Sequence, residues 1–414
     1  MLIPALAPVS VERRLVLTLW CAGLAAFAAM YAPQGLLPQI AREMSVDASQ
    51  AALLISAATL GLAVSVLPWA WVADRFGLRS AMRTAAAAAA VCAVVVPFSP
   101  TFEMLLAGRL IHGVALGGIP ALAMTLSHDL ASPARAATVA GSYVAATSVG
   151  GLGGRLFAVP AADHWGWRSG LLVVGVAVAV LMVTMIGLLP RPDAAPRVRG
   201  TVDSLVTHLR DPGMWPILIV GMLLSGAMMT VFNYLPFRLA GAPYELAPTA
   251  ISLVFLTYLG GTAGSRAAGR LGGRFGPTVV LGAAGVTIAL GAAVTLSGSL
   301  VAIISGVAVL TTAFFVGHAV ASSMVAARAQ RGRSQAAALY TIGYYAGSSV
   351  FGWLGGVAWS GGQWMAVASA VMLLGVLTTV FAAASVRRGG QRETETPVRR
   401  RSLREHGRFF PGTG

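Results

Sequence analysis

The chain has 414 residues, 57% apolar and only 10% charged, with a formal net charge of +15. A soluble protein carries roughly 25% charged residues, and a core this large would lack the polar surface to wrap it, so a soluble fold is excluded and lipid is the solvent for most of the chain. The basic residues are all arginines, placed between apolar runs and in the C-terminal segment, a distribution that speaks for membrane topology and against nucleic acid.

Apolar runs of about 20 residues recur along the length, each long enough to cross a ~30 Å hydrocarbon layer as a helix. Backbone groups in lipid must pair within their own segment, and no strand-like alternation repeats here. The fold class is therefore an all-α integral membrane protein. Twelve transmembrane helices are predicted, over 15–40, 50–72, 81–98, 101–126, 136–159, 169–189, 214–238, 247–268, 278–297, 300–326, 335–359 and 364–386. The first follows Arg13 and Arg14 as a signal peptide would, but it is longer than a secretory core of about 7–15 residues and is expected to stay. Cys21 and Cys92 lie inside spans, with no disulfide framework and no metal spacing.

Loops on one side hold Arg75, Arg79, Arg83, Arg135, Arg270, Arg274 and Arg328, whereas the other side holds Arg42, Arg168 and Arg238. The positive-inside rule puts the first set, and both termini, in the cytoplasm of a bacterial inner membrane. The segment 191–213, rich in proline and charge, reads as a cytoplasmic linker between six-helix bundles at 13–190 and 214–386. The basic tail 387–414 is expected to be disordered, either solvated or touching anionic lipid heads.

The two halves echo each other. Residues 38–77, "PQIAREMSVDASQAALLISAATLGLAVSVLPWAWVADRFG", match 236–276, "PFRLAGAPYELAPTAISLVFLTYLGGTAGSRAAGRLGGRFG", in layout. Both run from a proline through a short polar loop and an apolar span to "RFG". "SVGGLGG" (148–154) returns as "VFGWLGG" (350–356) on the fifth span of its half. Two parallel six-helix repeats are the plan of a rocking transporter with its site between the halves.

The loop after the second span reads "AWVADRFGLR", and the fourth span carries "RLIHG". These resemble the G-x-x-x-D-R-x-G-R-R/K and R-x-x-Q-G motifs of the major facilitator superfamily. Asp74, Arg75, Gly77, Arg79, Arg109 and Gly113 match; Ala70, Leu78 and His112 depart from the pattern. The stretches "YAPQGLLPQIAREMSV" and "SVGGLGGRL" resemble bacterial sugar and drug effluxers within it. The resemblance implies a monomer and a gating role for the Asp74 loop; no cofactor is expected.

In that loop Gly77 permits a tight turn with positive φ. A carboxylate near the membrane face needs a cationic partner or helix N-terminal donors. Asp74 has Arg79 and Arg135 as candidates, with Asp129 as a second acid. Such pairs form a latch that breaks as the halves rock; the plain alternative is a turn plus a positive-inside anchor. Gly273 replaces the acid in the second half, so the halves are unequal gates.

Charges at bilayer depth usually have a function. Arg109 and His112 share a helix face, Arg109 as a cavity-lining residue. Histidine titrates with an unperturbed pKa near 6.5, so His112 and His318 are candidate proton carriers, or else neutral side chains satisfied by neighbours. Arg155 either gates the seam or contacts an anionic cargo, or it snorkels to the headgroups; Arg266 reads as a snorkelling anchor. Tyr31 and Gln34 in the first span, Asn233 and Tyr234 in the seventh, and Tyr340, Tyr344 and Tyr345 in the eleventh are candidate substrate contacts or interface aromatics.

The chain lacks a G-x-x-x-x-G-K-[ST] phosphate loop, so an ion gradient, protons before sodium, is the expected energy source. The expected function is proton-coupled export of a small drug-like or natural-product molecule. The alternative is proton-linked or facilitated uptake of a sugar-like or organic-acid metabolite. An enzyme would need clustered His/Asp/Glu or a nucleophile with its base, and no such spacing is present; a channel would not need the duplicated plan or the acid-bearing loop.

Overall fold

A computed structural model of the chain describes residues 11–131, 135–190, 202–329 and 332–405. Twelve helical spans follow in order. Span 1 is Val11–Tyr31, a 3-10 turn Ala32–Leu36, and Leu37–Glu43; span 2 is Ala48–Phe76; span 3 is Leu78–Val95 with a turn Val96–Phe98. Span 4 is Phe102–Leu116 and Pro120–Leu130, span 5 Ala136–Trp165 and span 6 Trp167–Leu188. A short helix, Val202–Leu209, precedes span 7, Trp215–Ala240. Span 8 is Pro248–Leu253, a turn Val254–Thr257, and Tyr258–Phe275; span 9 is Pro277–Val294 and span 10 Leu300–Arg328. The last helix, Arg333–Glu405, breaks at Gly362 and Gln363, where the dihedrals are not helical, and so supplies spans 11 and 12.

Local chemistry sets the ends. Asp47 caps span 2: its carboxylate accepts from the Gln50 N–H at 2.7 Å, and the Gln50 side chain accepts from the Asp47 N–H at 3.0 Å, a reciprocal box that satisfies otherwise orphaned donors. The "RFG" repeats end spans 2 and 8 alike, on Gly77 at φ +90° and Gly276 at φ +85°. No atom lies within 4 Å of a Cβ built on either glycine, so the backbone angle and not crowding requires glycine there.

Prolines break some spans and not others. Pro33 sits in the 3-10 turn of span 1 and Pro120 restarts span 4 after the Gly117–Ile119 interruption, whereas Pro236 stays inside the continuous helix of span 7. Helical backbone continues through Glu405; arginine and glutamate are good helix formers. Residues 191–201 of the linker and 406–414 of the tail lie outside the described residues.

Within spans 1–6, span 1 packs on spans 5 and 6, span 2 on span 4, and span 3 on span 6; within spans 7–12, span 7 packs on spans 10 and 11, span 8 on span 10, and span 9 on spans 10 and 12. Lipid supplies no hydrophobic drive between helices, so close approach must supply it. At Gly113 a Cβ would stand 2.0 Å from the Ala58 carbonyl oxygen, which places spans 2 and 4 backbone to backbone. The two sets of six meet chiefly where span 2 lies on span 11, span 5 on span 8, and span 1 on span 7.

Candidate functional site: a buried polar seam between the halves

Pro33 has no N–H, so the Ala29 carbonyl one turn earlier loses its helical donor. Arg109 of span 4 takes it: Nη1 donates to Ala29 O at 3.0 Å, Nη2 to Met30 O at 2.6 Å, and Nε to Leu54 O at 3.2 Å. Arg109 is 3% exposed. Its donors serve backbone carbonyls of spans 1 and 2. Arg109 Nη1 also lies 3.4 Å from His112 Nδ1, and His112 Nε2 has no partner among the described residues. A guanidinium only donates, so this contact assigns the ring hydrogen to Nε2.

The break in span 1 presents Gln34 to the seam. Arg155 of span 5 donates from Nε to Gln34 Oε1 at 2.7 Å, from Nη1 to Gly151 O at 2.7 Å, and from Nη2 to the Tyr258 hydroxyl of span 8 at 3.1 Å. Gln34 Nε2 in turn donates to Asn233 Oδ1 of span 7 at 2.7 Å. Because the guanidinium is donor-only, Gln34 Oε1 must face it, and the amide orientation follows. Arg155, Gln34 and Asn233 are each 0% exposed. This overturns the alternative that Arg155 snorkels to headgroups.

Aromatic faces enclose the Arg155 charge. Its guanidinium carbon lies 4.3 Å from the Tyr31 ring centroid, 4.6 Å from Tyr258 and 5.1 Å from Phe255. Such contacts offset part of the desolvation of a cation. Among the described residues no carboxylate lies within ion-pair distance of it. Removing one charge from water costs several kcal/mol on the order of magnitude, so an arginine kept here without an acid leaves a local excess of positive potential.

Further hydrogen bonds continue the seam. The Tyr234 hydroxyl donates to Gly352 O at 3.0 Å within the second half, Ser349 Oγ donates to Ser56 O at 2.9 Å between halves, and Thr249 Oγ1 donates to Asp163 between halves. The Asn233 amide nitrogen and Ser56 Oγ are buried without partners among the described residues. Deeper in the second half, His318 Nδ1 is 2.9 Å from the Tyr340 hydroxyl, its ring 4.9 Å from Tyr344 and stacked on Phe314, and Tyr344 meets Tyr345 edge-on. His318 is half-buried.

Among the described residues no ion pair joins Asp74 to Arg79 or Arg135. Arg135 pairs with Glu12 at 2.7 Å and not with Asp74. Asp74, Arg75 and Asp129 are exposed, and Arg79 is half-buried with Nε lacking a partner among the described residues. The named bonds between halves all lie away from these "RFG" loops. Arg266 is exposed, as an anchor is. At the linker, Arg328 grips Asp211 at 2.7 and 2.8 Å, and His208 Nε2 is 3.1 Å from Gly332 O, which docks the short helix on the end of spans 10 and 11.

Tyr258, Phe255, Asp163 and Thr249 were not among the sequence candidates. A tyrosine hydroxyl inside the apolar run "LVFLTYLGG" was the one available signal for Tyr258; the others have none without knowing which helix faces which.

Twelve spans in two sets of six, meeting at a buried polar seam, define a membrane transporter of the rocking class. The sequence matches the Major Facilitator Superfamily profile over residues 19–264. It is 33% identical over 368 residues to the MFS-type transporter YybF of Bacillus subtilis strain 168, covering 88% of this chain and 91% of that one. It is 32% identical over 370 residues to the inner membrane transport protein YnfM of Escherichia coli K12, covering 88% of each. A solved D-xylose–proton symporter superposes with a TM-score of 0.72 at 14% identity, over 90% of this chain and 97% of that one. The chain belongs to the Major Facilitator Superfamily.

Proposed function

We propose that the chain is a proton-coupled secondary active transporter of the bacterial inner membrane that exports a small organic molecule by alternating access. Both termini lie in the cytoplasm, and the unit is a monomer. The observation that carries this reading is the seam itself. Arg155–Tyr258, Gln34–Asn233 and Asp163–Thr249 tie the halves at the end away from the arginine-rich "RFG" loops. With those loops inside, the outer face is closed and the inner face is the one to load cargo. Asp74 and its neighbours then form their latch in the opposite state. The inner-membrane setting is supported by YnfM.

A second reading, proton-linked uptake of an organic-acid or sugar-like metabolite, has a specific observation in its favour. Arg155 is a buried cation without an acid partner among the described residues, and the superposing D-xylose–proton symporter is an example of proton symport on this fold. Purified protein in liposomes with an internal pH-sensitive dye, an imposed proton gradient, and cationic, neutral and anionic compounds added in turn decides between them. Saturable collapse of the gradient by a compound supports coupling, and its sign gives the direction. Radiolabel flux that ignores the gradient refutes proton coupling. Flux that never saturates refutes a transporter altogether.

A further inference from the structure

Two neighbouring bonds across the seam share one polarity, whereas Ser349–Ser56 and Thr249–Asp163 run the other way. On the first half stand donors, Arg155 Nη2 and Gln34 Nε2; on the second stand acceptors, the Tyr258 hydroxyl and Asn233 Oδ1. The Arg155–Gln34 and Arg155–Gly151 bonds lie within the first half and survive any rocking motion. When the halves part, spans 7 and 8 withdraw both acceptors together. What remains on the first half is a fixed guanidinium and a fixed amide N–H₂ side by side, already oriented by Gly151 and by Gln34 itself, with the Tyr31 ring 4.3 Å from the guanidinium carbon. A cation plus an adjacent N–H donor is the complement of a carboxylate, which accepts at both oxygens. Burial without an acid partner argues the same way, since leaving a buried donor pair unfilled costs its full desolvation.

We propose that Arg155 and Gln34 receive the acidic group of a small carboxylate cargo with a flat, unsaturated body, and that Tyr258 and Asn233 replace that group when the seam closes. The flat body lies against Tyr31. The exchange expels cargo from the closed state, because the same donors serve either the acid or the second half. The proposal deepens the second, uptake reading and rests on it, because these donors are freed when the outer end opens and give up cargo as it closes; it names the substrate class of that same seam.

Binding tests it separately from flux. Full-length protein in nanodiscs is titrated with benzoate and cinnamate, with the neutral isostere benzamide, and with benzylammonium, following intrinsic tryptophan fluorescence and the melting temperature. The carboxylates are expected to bind at least tenfold more tightly than benzamide or benzylammonium. Arg155→Gln is expected to remove that preference. Because that variant disturbs three hydrogen bonds, Gln34→Glu is the second: it keeps the arginine but supplies an internal acid, and it is expected to weaken benzoate at least tenfold. Tyr258→Phe, which deletes a competing acceptor, is expected to tighten benzoate severalfold. Equal affinity for benzoate and benzamide, no carboxylate binding, or benzoate affinity unchanged in Gln34→Glu overturns the proposal, even where the liposome assay finds saturable transport. Arg155-dependent carboxylate binding without any saturable flux upholds the acid site and overturns the transport reading instead.

Discussion

Gln34 Nε2 donates to Asn233 Oδ1 at 2.7 Å, joining the first span of one half to the first span of the other. Both side chains are fully buried. An amide pair out of water is worth about 0.5–1.5 kcal/mol net, so this bond biases the seam toward closure by roughly two- to tenfold. Asp163 and Thr249, hydrogen-bonded across the same end, offer a reporter. In a Cys21→Ala, Cys92→Ala background, Asp163→Cys with Thr249→Cys is expected to cross-link under mild oxidation. Adding Asn233→Leu is expected to slow the cross-link by about two- to tenfold. An unchanged rate means the amide pair does not govern closure.

Arg109 is a structural staple for the break in span 1. Replacing it by alanine leaves the Ala29, Met30 and Leu54 carbonyls without that donor. Each unsatisfied buried acceptor costs about 1–3 kcal/mol. Arg109→Ala is therefore expected to lower the melting temperature sharply in fluorescence-detected size exclusion, and Arg109→Lys to recover part of it. The exposed Arg266→Ala is expected to stay within about 0.5 kcal/mol of the parent. Comparable melting of both alanine variants contradicts the staple.

Asp74 is exposed, away from Arg135, which holds Glu12. A latch that forms only when the "RFG" end closes should be silent in folding and visible in turnover. Asp74→Asn is expected to insert and melt as the parent does while transport falls about tenfold, the scale of one charge-assisted contact near 1.5 kcal/mol. Normal flux in that variant removes the latch.

A proton carrier needs water on alternate sides. His112 is 3% exposed and faces Arg109, whereas His318 is half-buried beside Tyr340 and Tyr344. The expected result is that His318→Gln flattens the pH profile of transport between about pH 5 and 8, the range in which histidine titrates, while His112→Gln leaves its shape intact. The reverse pattern assigns the proton to the first half.

The sequence by itself determined the solvent, the twelve spans and the "RFG" turns. Each of these is written in neighbouring residues: an apolar run long enough to cross lipid, or a glycine where φ must be positive, as Gly77 and Gly276 bear out. The same legibility reached Gln34 and Asn233, which the repeat places at comparable positions in the two halves. Tertiary structure alone decided their partners. Arg155 meets residues 121 and 103 positions away, and Gln34 meets one 199 positions away. Hydropathy gives a residue's depth, but in a helix apolar on all sides it gives no azimuth. Thus Arg109 and Arg155, two arginines placed inside spans by hydropathy, part company only on folding. One is spent on carbonyls around the Pro33 break, and the other is held without an acid where the halves meet.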